Sequence, residues 1–171
     1  MAQLSILEYP DPRLRRPARP VRSFDMELWT VIDDLFDTLY ATGGFGLAAP
    51  QVGIDLRVVV IDLSEAHDAP QVFVNPECVS RNGLALVEEG CLSVPGFTGL
   101  VKRAVQVGVA AADRWGVVED HALDGLAAVC LQHEIDHLDG RLFVDRMPFF
   151  KRLSFRRRRP GAGWRTTLPV G

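Results

Sequence analysis

The run His133-Glu134-Ile135-Asp136-His137 constrains this chain more than any other feature. Residues four apart lie one turn above each other on a helix, so the two imidazoles meet at one point only if this segment is helical. Asp124 is an N-cap candidate and Asp139-Gly140 a stop, which predicts a long helix running to about Leu138. Histidines so spaced suit one metal ion, and Glu134 between them reaches a water on that metal. The alternative is two surface histidines near a helix C-terminus, where positive charge is favoured. Leu126, Val129 and Cys130 lay an apolar stripe along the helix toward His133. That stripe serves equally as pocket lining or as core, since the two are built alike.

A catalytic metal site needs a third protein ligand and an open position. Cys91, Cys78, His67, His121 and many carboxylates compete for the role. Cys91 stands out because it lies between Glu88-Glu89-Gly90 and Leu92-Ser93-Val94-Pro95-Gly96, which reads as an irregular stretch with free backbone groups. A cysteine taken alone is more often a small buried hydrophobe. Spacing by itself leaves the choice open.

The segment Gly43-Gly44-Phe45-Gly46-Leu47-Ala48-Ala49-Pro50-Gln51 is dense in small residues, which lets the backbone approach a ligand or another strand closely. It lacks the Lys and Ser/Thr of a phosphate-binding loop. On these residues alone it reads as a tight turn packed against the histidine helix.

The rest of the chain frames these segments. Prolines at 10, 12 and 17 predict an extended N-terminal arm. Leu28, Val31, Ile32, Leu35, Phe36, Leu39 and Tyr40, spaced by three and four with acidic residues between, predict an amphipathic helix over about 25–40 that ends at Thr42-Gly43-Gly44. Leu56 to Leu63 and Gln71 to Asn75 read as strands, and Val105 to Ala112 with Val117-Val118 as a hairpin. Helix, several strands, then helix gives an α+β domain, and the expected architecture is mixed, mostly antiparallel sheets packed around a central helix that would bind the metal, with an N-terminal amphipathic helix.

At 171 residues, with 47% hydrophobic and 24% charged, the chain is one ordinary domain whose core needs neither disulfides nor a structural metal. Three cysteines are too few for a disulfide framework, and the first twenty residues lack the apolar run of a signal peptide. These features point to the cytoplasm. No apolar run approaches the roughly 18 residues of a membrane span. Residues 151–171 hold seven of the 19 basic residues and none of the 22 acidic ones, leaving 1–150 at net −10. The division expected is a catalytic unit over 1–150 and a basic tail over 151–171, with a short basic helix from about Phe149 to Arg159.

The three segments, in this order, resemble the three signature motifs of the peptide deformylases. The first matches Gly44-Phe45-Gly46-Leu47-Ala48-Ala49-Pro50-Gln51, the second Glu89-Gly90-Cys91-Leu92-Ser93, and the third Gln132 to His137. The likeness extends from about Ile6 to about Met147. It implies that Cys91, His133 and His137 hold a divalent metal, typically Fe²⁺, with Zn²⁺, Ni²⁺ or Co²⁺ also suited to the donor set. It implies further that Glu134 is the general base, and that Gln51 and the backbone N–H of Leu92 stabilise the oxyanion. Leu126, Val129 and Cys130 would line a methionine pocket, with Phe45 and Gly46 along its wall and the backbone of Gly44 to Gly46 pairing with the peptide. The reaction implied is removal of the N-formyl group from the N-terminal methionine of nascent polypeptides, with release of formate.

Two rivals remain at this point. A zinc endopeptidase shares the helical motif but usually takes histidine or glutamate as third ligand, and an inert homologue would not keep a competent residue at every catalytic position. The resemblance also bears on the tail, because many bacterial members end in a long basic helix that docks on the ribosome. Here Pro160-Gly161-Ala162-Gly163 stops any helix after Arg159, leaving Arg156 to Arg159 to contact RNA phosphates or to remain a solvated tail. Neither a DNA partner nor a membrane is expected.

Overall fold

Helix α1 (Met26–Thr42) forms where the apolar spacing predicts it, and Leu28, Ile32, Leu35 and Leu39 are its buried face. The Asp25 carboxylate accepts from the amides of Glu27 and Leu28 at its start, and Gly43, in the left-handed conformation, ends it. This computed structural model describes residues 3–157.

The strands among these residues are β1 (Gly46–Ala48), β2 (Val58–Ile61), β3 (Gln71–Asn82), β4 (Ala85–Cys91), β5 (Val94–Arg103), β6 (Gln106–Ala112) and β7 (Val118–Asp124). They form an antiparallel sheet in the order β1-β2-β3-β6-β7 and a separate β4-β5 hairpin. Helices α2 (Gly125–Leu138), α3 (Phe143–Arg146) and α4 (Phe149–Arg157) follow.

Strand β2 explains the architecture. Val58 and Val60 pack with Leu28, Ile32, Leu35 and Leu39 of α1, whereas Val59 and Ile61 pack with Ala128, Leu131 and Leu138 of α2. Alternate side chains point to opposite faces, so a strand covered by a helix on each side must be apolar throughout. The hairpin β4-β5 closes a third cluster, in which Val94 and Val101 meet Leu142, Phe143, Val144, Met147 and Phe155.

Four sequence expectations change. Strand β3 runs to Asn82 rather than stopping near Asn75, with a register shift between Val74 and Glu77. Pro76 has no N–H for the ladder, and a bulge lets the strand continue past it. Asn75 has φ of 51° there, and its amide exchanges hydrogen bonds with the backbone of Val21. The stretch around Cys91 is not irregular but two paired strands joined at Leu92-Ser93. Nor is the glycine-rich segment only a tight turn, since Gly46–Ala48 pairs with β2 before a 3-10 turn over Ala49–Val52. The N-terminal arm also holds a short 3-10 turn at Pro12–Arg15, with proline in the first position, where a missing N–H costs nothing. Elsewhere the arm is extended and pinned, Leu7 donating to Gln51 and Tyr9 to Ser93 through the backbone. Arg158, Arg159 and the rest of the basic tail lie outside the described residues.

Candidate active site and metal centre

Helix α2 is held against the sheets by its own polar residue. Gln132 donates to the carbonyls of Ala104 and Ala128 and accepts from the Ala104 amide, which fixes the rotation of the helix about its axis. At the other end Gly140 has φ of 69°, and a Cβ there would stand 2.6 Å from the Arg15 carbonyl oxygen, so the stop accepts only glycine.

With the helix so set, His133 and His137 face the end of β4, where Cys91 arrives from the hairpin. The Cys91 Sγ and the two ring nitrogens lie within 4.8 Å of one another, and Sγ is 3.2 Å from His137 Nε2. Bonds of about 2.3 Å to sulfur and about 2.0 Å to nitrogen in a tetrahedron bring three donors to such separations, so the set fits one ion. It is the only such group of His, Cys, Asp and Glu side chains among the described residues. The other candidate ligands stand elsewhere. Cys78 contacts the Ser80 carbonyl, His67 stacks on Tyr40, and His121 meets the Phe73 ring edge-on.

Burial and then the neighbouring His133 push His137 well below its ordinary value, so its ring is neutral, the form that ligates. Its Nδ1 is buried without a hydrogen-bond partner. Burial works against charge on His133 as well, but contacts with Cys91 and Glu89 raise it to about 10. Glu89 is likewise penalised by burial, yet bonds from Arg103 and His133 hold its carboxyl down at about 2. Burial raises Glu134 to about 7, and its Oε2 has no partner. A buried carboxyl so poised beside a metal-ligand set is suited to proton transfer. Burial also pushes the Cys130 thiol up, with help from the Glu134 and Glu89 charges, so Cys130 stays a neutral, apolar wall.

These groups open on a cleft of about 530 Å³. Gly44, Phe45 and Gly46 edge it on one side, and Cys91 and Leu92 on another. Leu126, Val129 and Cys130 run along it to His133 and Glu134. Gln51 reaches it from the 3-10 turn, its Oε1 accepting from the Ala48 amide while Nε2 lies 3.3 Å from Ser93 Oγ and 3.7 Å from Cys91 Sγ. Of the site residues that the resemblance implies, only His137 does not line the cleft, and it belongs to the ligand set. Strand β1 comes so close to α2 that a Cβ on Gly46 would stand 2.8 Å from Cys130 Sγ and 2.9 Å from Glu134 Oε1.

Sequence reasoning missed the layer behind the ligands. Glu89 pairs with His133 Nδ1, Arg103 donates to both Glu89 oxygens and to Asp136, and Arg146 pairs with Asp136 as well. Arg103 is 2% exposed while its neighbour Lys102 faces water. Nothing local separates the two cations, and the only available signal is the place of Glu89 inside a motif.

The family model for polypeptide deformylase matches residues 3–153. The chain belongs to the polypeptide deformylase family. It is 51% identical to peptide deformylase 2 of Xanthomonas campestris over 161 residues, covering 92% of this chain and 95% of the relative. Its structure is similar to the crystal structure of a peptide deformylase from Legionella pneumophila, with a TM-score of 0.86 and 51% identity over 91% of this chain and 92% of that one. It is also similar to a deformylase from Synechococcus elongatus solved in complex with actinonin, at TM-score 0.83 and 44% identity, covering 85% and 81% of the two chains. Deformylases are metallohydrolases that remove the N-formyl group from nascent polypeptides. The Cys-His-His group is the candidate metal site that such chemistry requires. No described helix is long and apolar enough to cross a membrane.

Proposed function

We propose that Glu134 is the proton-transferring residue of this deformylase, and that Cys91, His133 and His137 hold one Fe²⁺ ion. The observation that carries this reading is the buried Glu134 carboxyl, raised to about 7, opening on the same cleft as two of the three donors. A thiolate and two imidazoles suit Fe²⁺, Zn²⁺, Ni²⁺ or Co²⁺, and the likeness to the family favours iron. Held by Cys91, His133 and His137, a divalent ion would supply Lewis acidity and make water easier to deprotonate.

The remaining work falls to the chain. Glu134 accepts a proton from the attacking water and returns it to the departing amine nitrogen. Gln51 Nε2, already within 3.7 Å of Cys91 Sγ, and the backbone N–H of Leu92 donate to the oxygen on which charge develops. Leu126, Val129 and Cys130 receive the methionine side chain against Phe45, and the backbone of Gly44 to Gly46 pairs with the peptide. A formyl carbon bears only hydrogen, so it enters where a peptide carbonyl would be crowded. The thiolate ligand also sets this site apart from zinc endopeptidases.

Formate release from N-formyl-Met-Ala-Ser by anaerobic, iron-loaded enzyme tests the reading. Glu134→Gln is expected to keep metal and fold while losing about 10² to 10⁴ in turnover. The acetylated analogue is expected to react far more slowly, and an unblocked peptide not to be cut internally. Near wild-type turnover of the variant would remove Glu134 from this role, and equal formyl and acetyl rates would show that carbonyl size is not selected.

The same reading takes residues 1–150 as the catalytic unit, working in the cytoplasm, and 151–171 as a basic appendage toward ribosomal RNA. Its support is the charge asymmetry, seven basic residues against no acidic one. Ribosome affinity that falls with salt, and is lost when Arg156 to Arg159 become Ser, is the expected result.

A further inference from the structure

A second face of α2 borders a concavity whose charges deformylation leaves unused. It is a half-open hollow of about 670 Å³ between the end of β3, the end of β5 and the α2–α3 connection, a volume suited to a small organic ligand. Arg81, Lys102 and Arg141 reach it from these three segments, and none of them has an ion-pair partner among the described residues. The acidic groups nearby are already taken. Asp136 is shared by Arg103 and Arg146, and Asp139 pairs with Arg57. The cleft therefore carries three uncompensated positive charges on a chain whose net charge is −3.

Like charges gathered around one hollow repel each other, and a cleft lined by one sign of charge focuses its field and concentrates counter-ions. A merely solvated surface would gain nothing from drawing cations together out of three separate segments. The two arginines offer planar forks that match phosphate oxygens, and Lys102 adds a point charge. Ile135 and Leu84 give the hollow an apolar wall, which a bare inorganic ion would leave unused. The hollow has room for one small organic molecule.

We propose that this cleft binds a small phosphate monoester with an apolar or planar body, at a site separate from the metal centre. A phosphate monoester near neutral pH carries close to two charges, which balances most of the excess.

Calorimetric titration of the metal-loaded enzyme, with AMP and inorganic phosphate as separate probes at low salt, tests this. AMP is expected to bind, and phosphate more weakly because it lacks a body for the apolar wall. Arg81→Ser/Lys102→Ser/Arg141→Ser is expected to weaken AMP binding by about tenfold or more. Its unfolding midpoint and formate release should match the parent, since these side chains are exposed and without ion-pair partners. Lys102→Ser alone is expected to show an intermediate loss, which keeps the test readable if the triple variant misfolds. Undiminished AMP binding in both variants would put the ligand elsewhere, at the metal for instance, and overturn the proposal. So would phosphate binding as tightly as AMP, no AMP binding at about 10 mM, or binding of a short oligoribonucleotide in its place.

Discussion

Glu89 Oε2 lies 2.8 Å from His133 Nδ1, and the same carboxylate is gripped on both oxygens by Arg103 at 2.6 and 2.9 Å. The pairing leaves His133 Nε2 to face the other donors, and it sets the ring's orientation before any metal arrives. Outer groups of this kind raise ligand basicity and fix its tautomer, and their loss typically costs about 10- to 100-fold in metal affinity. Glu89→Ala is therefore expected to weaken metal binding by about that factor, measured by competition with a chelator. Unchanged affinity would show that α2 alone orients His133.

Gly46→Ala should damage the chemistry more than the fold. Its backbone is not in the left-handed region, so the cost lies in the new Cβ, 2.9 Å from Glu134 Oε1 and 2.8 Å from Cys130 Sγ. A displacement of about 1 Å at a reacting group can cost about 10²-fold in rate, whereas overpacking costs about 1–3 kcal/mol in stability. Formate release is expected to fall by about two orders of magnitude in a protein that still unfolds cooperatively. Adding Cys130→Ala removes one of the two contacts and is expected to recover part of the loss.

Val129 lies on the cleft wall one turn before His133. Val129→Trp fills the space read as the methionine pocket without touching a ligand. A raised KM for formyl-Met peptides with unchanged metal content is expected. Unchanged KM would locate that pocket elsewhere.

Asp62 provides a pH test of stability away from the metal. Burial would raise its carboxyl, but Ser64, through its hydroxyl and its amide, and the Tyr40 hydroxyl outweigh burial and lower it from the ordinary 3.8. A carboxyl depressed in the folded state contributes stability in full above its unfolded value and loses it as pH falls through the folded one. Asp62→Asn is expected to lower the urea midpoint at pH 7 and to narrow the difference from the parent below about pH 4. A gap that stays constant with pH would mean that the charge contributes nothing.

Local sequence settles what depends on local periodicity. The spacing of Leu28, Ile32, Leu35 and Leu39, with Asp25 before and Gly43 after, is enough for α1, because backbone capping and side-chain burial involve residues within a few positions. Helix α2 also lies where the sequence predicts it, although the Asp124 side chain makes no capping bond, so the pairing of His133 with His137 on one face was legible without a fold. The motifs at Gly44–Gln51 and Glu89–Ser93 carried the rest of the candidate site through resemblance.

What the sequence could not supply were choices among like residues far apart in the chain. Cys91 joins the histidines rather than Cys78, His67 or His121 because β4 ends beside α2, a consequence of the hairpin's register and not of any nearby residue. Strand β1 was hidden because three residues carry too little pattern, and it exists because β2 pairs with it. Arg103 is buried while Lys102 is exposed, since only the former finds Glu89 and Asp136, 14 and 33 positions away. Short-range geometry comes from bond rotations and can be read along the chain. The partner of a buried charge is decided only when the chain closes and water is excluded, because removing a charge from water is costly unless its counter-charge is already in place.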